Sequence, residues 1–498
     1  MNPYRFLCII SIMTTKAKRG LPEDTLKALA VKIPLKESLF GEASFYRKVA
    51  FVVVPMIIQN TLSNVVGLLD NVMVGQVGTL PMSAVAVVNQ LIFIYYLCVW
   101  GGMAGVGIYS TQYFGKGDYD GVRYATRFKL ILGAIITAAT IVIFLVFPTQ
   151  LIGAYIAEST SAADSAETMR YAVQYLDIML IGLIPFAVTQ CYAGTLRESG
   201  QTSLPMKAGM TAMVVNFIFN ALLIFGLFGF PKLGVAGAAI ATVISRFVEM
   251  FIVVLVSHFG KNKEKTGMSY PFFEGLYKGF TVPAYLVPSF IAKTLPLLLG
   301  EFTWSLGQAA LLQCYSVRGL EVVAAMNICS TISQIFNEVF LSLGNATAIL
   351  IGQELGANRL VDARRTSSRM MALSVTSYFV MGFFLFLCAP VIPGIYNTEP
   401  SVRELATSFI RVVSITMFCN AIANVSYFTL RAGGKTVITF LFDAGATWLL
   451  SVPLAFFLTR YTALSTVLIF FIVCSAELLK GFIGIGLVKR GSWVLKIV

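Results

Sequence analysis

The stretch "TLRAGGKT", Thr429–Thr436, decides how the chain is read. It ends like a phosphate-binding loop. Such a loop needs a glycine five residues before its Gly-Lys-Thr, so that successive backbone N–H groups can wrap the phosphates. That position is Thr429. A second copy stands upstream as "TLRESGQT", Thr195–Thr202, with Thr, Leu, Arg, Gly and Thr in the same places and Gln201 in place of the lysine. A phosphate ligand is not what the two stretches have in common. They mark a duplicated chain, and no nucleotide is expected.

The duplication reaches further. Pro55 matches Pro296, Gly78 matches Gly319, Ala84 matches Ala325, Gln112 matches Gln353, Gly115 matches Gly356 and Arg123 matches Arg364, every pair 241 residues apart. The two "TLR" stretches are 234 apart, so the first half carries a slightly longer third loop.

The chain has 498 residues, 57% hydrophobic and 12% charged, which is far too apolar for a soluble protein of this length. A spanning helix needs about 20 mostly apolar residues. Twelve such runs are expected, near 50–74, 84–112, 125–147, 171–195, 206–228, 236–258, 283–317, 322–352, 368–393, 404–430, 437–460 and 462–487. Six per half is an even number, so the halves are parallel repeats about an axis along the membrane normal. Transporters built in this way place substrate between the halves and rock one against the other.

The net charge of +13 could suggest nucleic acid, but its distribution argues otherwise. Basic residues gather in alternate loops: Lys16, Lys18, Arg19, Arg47 and Lys48, then Lys116, Arg123 and Arg127, then Arg197 and Lys207. They recur as Lys261, Lys263 and Lys265, as Arg359, Arg364, Arg365 and Arg369, as Arg431 and Lys435, and as Lys489, Arg490 and Lys496. Intervening loops carry Glu158, Asp164 and Glu167, or Glu399 and Glu404. This is the positive-inside pattern. It predicts a multi-pass protein of the cytoplasmic (inner) membrane with both termini in the cytoplasm. The expected divisions are a cytoplasmic segment 1–48, a first lobe 49–258, a cytoplasmic linker 259–282, a second lobe 283–487 and a cytoplasmic tail 488–498. Translation starts at Met1 or at Met13.

Seven of the eight cysteines fall in apolar runs, Cys8 lies in the short "FLCIISI", and no C-x-x-C occurs, so they are read as packing residues. A single histidine, His258 at a helix end, excludes a Ser-His-Asp triad or a histidine-based metal centre. No cofactor and no enzymatic activity are expected.

Several motifs carry a family likeness: "PMIIQNTLSNVVGLLDNVMVG" in the first span, "QYFGKGDYDGVR" after the second, "VVNFIFNALLIFGLFGFPKLGVAGAAIATVISR" across the fifth and sixth, "GQELGANRLVDARR" after the eighth, and "TLRAGGKT". In these the chain resembles the MATE family, the multidrug and toxic-compound extrusion transporters of the larger flippase superfamily. The likeness runs over nearly the whole chain from about Arg47. It implies an all-α membrane fold of twelve transmembrane helices in two six-helix lobes, related by a pseudo-two-fold parallel repeat and V-shaped. It implies export of organic compounds in exchange for Na⁺ or H⁺, through a monomer whose partners are a small-molecule substrate and the bilayer.

Ionisable residues at membrane depth cost about 2.5–3.5 kcal/mol on insertion scales, so each is a functional candidate. Asp70 lies roughly 33 Å along the first span from Lys48 and stands where the family has its aspartate. Asn216 and Asn220 share one face of the fifth span, four residues apart. The DinF-like branch has an acid at the second of these places, and Asn220 cannot exchange a proton. Na⁺ coordination by Asp70, Asn216 and Asn220 is one reading; amide hydrogen bonding between helices is the other.

In the second half, Glu301 corresponds to the cation-site glutamate of the NorM-like branch, and its repeat partner is Asn60. Asn420 stands where that branch has an aspartate. Glu338 is a further deep carboxylate. Gln59, Asn60, Asn64, Gln90, Gln308 and Gln334 offer neutral polar surface toward a cavity. Arg246 with Glu249, and Glu477 with Lys480, read as in-helix ion pairs near the inner interface.

The resulting expectation is a cation-coupled antiporter for amphipathic, often cationic organic compounds. The alternatives are a lipid-linked saccharide flippase, which would want several arginines inside its cavity, and a membrane-embedded transferase, which would need His/Asp or paired Asp motifs that the chain lacks.

Overall fold

The computed structural model describes residues 22–155, 162–260, 270–396 and 398–498. Met1, Cys8, Met13, Lys16, Lys18, Arg19, Glu158, Lys261, Lys263 and Lys265 lie outside the described residues.

Among the described residues the ordered elements are all helical. Two short helices, Glu23–Ala30 and Leu35–Leu39, precede twelve long ones. The first half supplies α1 (Ala43–Gly75), α2 (Thr79–Lys116), α3 (Tyr119–Val146), α4 (Ala162–Glu198), α5 (Ser203–Phe225) and α6 (Val235–Phe259). The second supplies α7 (Val287–Ser316), α8 (Leu320–Gly356), α9 (Leu360–Cys388), α10 (Pro400–Ala432), α11 (Thr436–Tyr461) and α12 (Thr466–Arg490). Among the described residues, eleven helices are long and apolar enough to cross a membrane by length and composition. The twelfth expected span, α7, is 30 residues long but is not among the eleven. Lys293, Glu301, Gln308 and Gln313 dilute its apolar character.

The repeat is visible in the backbone. Pro55 lies inside α1 and Pro296 inside α7, removing the same intrahelical hydrogen bond from the first helix of each half. The two "TLR" stretches are helix ends of one design. Gly200 donates to the Arg197 carbonyl at 2.8 Å and Gln201 to that of Leu196 at 2.8 Å; Gly434 donates to Arg431 at 2.8 Å and Lys435 to Leu430 at 3.1 Å. Gly200 (φ 80°) and Gly434 (φ 72°) take the left-handed conformation that this closure requires.

Two compact units emerge. One comprises residues up to Val53, Thr111–Gly117 and Leu299–Val498; the other comprises Val54–Ser110 and Asp118–Leu298. In the second of these, α4 packs on α3 and α6, and α6 on α5. Val88, Val99, Leu176 and Ala239 fill its core, and Tyr95 ties three helices by meeting the Thr137 hydroxyl at 2.8 Å and donating to the Leu183 carbonyl at 2.9 Å. Part of the expected linker is anchored here. The buried Arg127 guanidinium donates to the carbonyls of Leu276 (2.7 Å), Lys278 (2.8 Å), Gly275 (3.0 Å) and Thr281 (3.1 Å).

In the first-named unit, α10 is central and packs on α8, α9 and α12. The C-terminal end of α2 (Thr111–Gly117) belongs to this unit and meets the end of α8 reciprocally. A Cβ on Gly115 would stand 2.0 Å from the Gln353 carbonyl oxygen, and one on Gly356 would stand 1.9 Å from that of Gln112. Gln112 reaches on, donating to the Ala432 (3.2 Å) and Leu495 (3.3 Å) carbonyls and accepting from the Ile497 amide (2.9 Å). Gly433 of the opening stretch is small for a related reason: the Trp493 carbonyl oxygen lies 2.0 Å from where its Cβ would be.

Candidate functional site

In the unit built on α4, three expected residues converge. Asn220 is wholly buried on α5, one turn from buried Asn216. Its Nδ2 donates to Asp70 Oδ1 of α1 at 2.5 Å and to Asn216 Oδ1 at 3.0 Å. Asn216 Nδ2 donates to the Thr242 hydroxyl of α6 at 3.3 Å. Asn220 Oδ1 is buried with no hydrogen-bond partner among the described residues. The cluster therefore presents one carboxylate, two amide oxygens and a hydroxyl. Hard oxygen donors of this kind suit a small cation such as Na⁺, and the carboxylate alone suits a proton. Of the neutral candidates on the same unit, Gln59 and Asn60 are half-buried, and Asn64 and Gln90 are exposed.

One turn along α6 from Thr242 stands Arg246. It packs over the rings of Phe186 (5.0 Å) and Tyr96 (5.7 Å) and pairs with Glu249 at 3.5 Å. The in-helix pair forms, but its place differs from the expected inner interface. Arg246 lies eleven residues into α6 and thirteen from its end, near the middle of the span. The aromatic faces and Glu249 offset the cost of a cation at this depth.

The second-half candidates lie on the other unit. Glu301 is half-buried on α7, and the charges of Arg431 and Asp443 act on it. Glu338 is half-buried on α8, where Gln334 is exposed; Gln308 on α7 and Asn420 on α10 are exposed.

Two deep ion pairs were not expected. Lys129 of α3 is fully buried and pairs with Glu198 at the end of α4. Lys480 of α12 keeps its expected partner Glu477 at 3.4 Å but makes a shorter contact, 2.6 Å, to Asp443 of α11. One had a clear sequence signal: Asp443 in "FLFDAGATWLL" is a lone charge inside an apolar run, whereas Lys129 in "RFKLILGAI" follows Arg127 by two residues.

A model of the MatE family matches the chain twice, at residues 55–222 and 296–457, so that each match begins at one of the paired prolines. The chain belongs to the MatE family. Among MatE-family relatives, it is 24% identical over 415 residues to the probable multidrug resistance protein NorM of Thermotoga maritima, covering 82% of this chain and 84% of that one. It is 24% identical over 442 residues to the probable multidrug resistance protein YoeA of Bacillus subtilis, covering 86% and 90%. A solved structure described as the outward-facing conformation of a multidrug resistance MATE family transporter of the MOP superfamily superposes with a TM-score of 0.78 at 16% identity, covering 95% of this chain and 99% of that chain. A mutant of the Vibrio cholerae MATE transporter VcmN superposes with a TM-score of 0.77 at 17% identity, covering 91% and 97%. The chain is thus a multi-pass membrane protein with the MATE transporter fold: twelve helices in two six-helix repeats.

Proposed function

We propose that this MatE-family chain is an antiporter of the cytoplasmic membrane, with both termini inside, that exports amphipathic, often cationic organic compounds in exchange for Na⁺ or H⁺. The observation that carries the reading is the Asp70–Asn220–Asn216 cluster. It is a carboxylate from one helix, held by a buried amide of another, with a spare amide oxygen beside it. A carboxylate in that setting can be neutralised by a cation in one state and released in the next. The relatives' names, multidrug resistance proteins, support the substrate class. The mid-span arginine, Arg246, is engaged by Glu249 and two rings, so it is not the free anion receptor that a pyrophosphate flippase would want.

Alternating access then follows from the duplicated architecture, with one repeat rocking against the other. The deciding experiment is ethidium transport by proteoliposomes under a Na⁺ gradient and under a proton gradient, each imposed alone. Accumulation driven by at least one of the two is expected. Transport under neither, by folded protein, refutes the antiport reading.

A further inference from the structure

The chain ahead of α1 leaves apolar side chains uncovered outside the expected spans. None of the residues in the short helix Leu35–Leu39 is buried. Leu35 is 76% exposed and Phe40, which follows the helix, 67%. Leu39 and Val31 are exposed as well. Leu35 and Leu39 are four apart and share one helix face. Glu37 lies on the opposite side, and it is the residue that is held. Its carbonyl accepts from Arg369 Nε at 2.9 Å, and its carboxylate pairs with Arg365 Nη2 at 3.3 Å. The helix is docked on α9 by its polar side and turns its apolar side outward. A helix on the surface of a soluble protein does the reverse.

The docking contacts also give the helix its depth. Arg369 lies at the start of the apolar run expected from residue 368, and Arg365 is one turn before it. The Arg369 guanidinium stands 5.5 Å from the centre of the Phe45 ring, at the start of α1. Glu37 and Phe45 are therefore level with the end of a spanning helix, where basic side chains meet the headgroups of a bilayer.

The charges around the apolar face are of one sign. Lys32, Lys36 and Arg47 are exposed, and among the described residues none of the three makes an ion pair. Residues 31–48 contain two acids. Glu37 is engaged by Arg365, and Glu42 accepts from the Ser44 hydroxyl at 3.4 Å. Cations without counter-ions beside an uncovered apolar face are the composition of a segment that lies in the interface of an anionic bilayer. A protein partner would have to enter the headgroup layer to cover Leu35 and Phe40.

We propose that residues 31–47 form a lipid-binding surface selective for anionic phospholipid. Leu35, Leu39 and Phe40 enter the apolar boundary, while Lys32, Lys36 and Arg47 bind headgroup phosphates. The surface stands without the antiport reading; its assignment to the cytoplasmic leaflet rests on the topology proposed with that reading.

The test uses full-length protein with its cysteines replaced and a bimane fluorophore on Leu39→Cys, in nanodiscs of mixed phosphatidylcholine and phosphatidylglycerol. A spin-label quencher is placed at the top of the acyl chain of one lipid or of the other, at equal mole fraction. Quenching by both is expected, with phosphatidylglycerol favoured by about fivefold or more, the equivalent of one basic residue at the surface. High salt should shrink that preference. The triple variant Lys32→Gln, Lys36→Gln, Arg47→Gln should erase it and leave quenching by both lipids. Leu35→Ser with Phe40→Ser should lower the quenching itself. Lys207→Gln, an exposed lysine on α5, should change neither. The proposal is overturned by a fluorophore that neither lipid quenches, by equal quenching from the two lipids in the parent protein, or by a preference that survives the triple variant. Absence of gradient-driven ethidium transport with the lipid preference intact overturns only the antiport reading.

Discussion

The side-chain amide of Asn220 donates to the Asp70 carboxylate at 2.5 Å, joining α5 to α1 across 150 residues of sequence. The contact gives a half-buried carboxylate a neutral donor. The Arg246 guanidinium of α6 also acts on its charge.

Asp70→Asn removes the charge and keeps the shape. A unit charge moved through the membrane potential supplies about 2.3 kcal/mol per 100 mV, more than the 1.4 kcal/mol of a tenfold gradient. Gradient-driven ethidium efflux should fall by more than about tenfold, with ethidium binding in detergent preserved. Glu301→Gln should behave alike, and the double variant should not transport at all. Asn216→Ala and Asn220→Ala should weaken the cation dependence of efflux without abolishing it. Normal efflux by the double variant would remove both residues from the coupling step.

Gly115→Ala and Gly356→Ala each force a methyl against a backbone carbonyl that cannot retreat. Each should cost about 1–3 kcal/mol or more, the range for overpacking, seen as a lowered Tm. Gly67→Ala is the control. No atom lies within 4 Å of its Cβ position, and alanine is the better helix former, so its Tm should hold or rise.

Arg127→Ala takes four hydrogen bonds from the segment between Gly275 and Thr281. Even one hydrogen bond to a charged group is worth about 1.5–3 kcal/mol. Limited proteolysis within 271–281 should accelerate roughly tenfold or more, on the same figure, while the remaining helices resist. An unchanged cleavage rate would mean that other contacts, such as the Arg123 hydrogen bond to the Glu274 carbonyl, suffice to hold the segment.

The topology is open to labelling in a background whose cysteines are replaced. Phe228, 93% exposed between α5 and α6, and Thr398, between α9 and α10, should react with an impermeant thiol reagent when substituted by cysteine in intact cells. Lys278→Cys should react only after lysis. The opposite pattern would invert the assignment of sides.

The fold could be read from the sequence because its signals are local or repeated. Apolar length marks a span, and the paired prolines and glycines fix the register of the halves. Asn216 and Asn220 could be placed on one face because a helix repeats every 3.6 residues. Which helix would meet that face was implied only by family likeness. Asp443 shows the limit. Its partner is a lysine 37 residues later on a different helix, and only the packing of α11 on α12 selects it over Glu477, which helical spacing alone had suggested. The depth of Arg246 was misjudged although its span was not. The expected run 236–258 and the observed Val235–Phe259 both put it mid-helix, and the pair was assigned to the interface because of its charge. The seventh helix was counted from its length, although its polar residues take it below the composition of a simple span.

The reciprocal contact between Gly115 and Gln353, and between Gly356 and Gln112, also bears on ancestry. Residue i touches j′ while i′ touches j, which is the signature of an isologous homodimer interface. A polypeptide of half this length, carrying one copy of the motif, would hold both sides of the joint. Two such subunits would close it about a two-fold axis. Fusion into one chain would then free each copy to diverge, as where Asp443 stands beside Lys480 and the first half has Gly209.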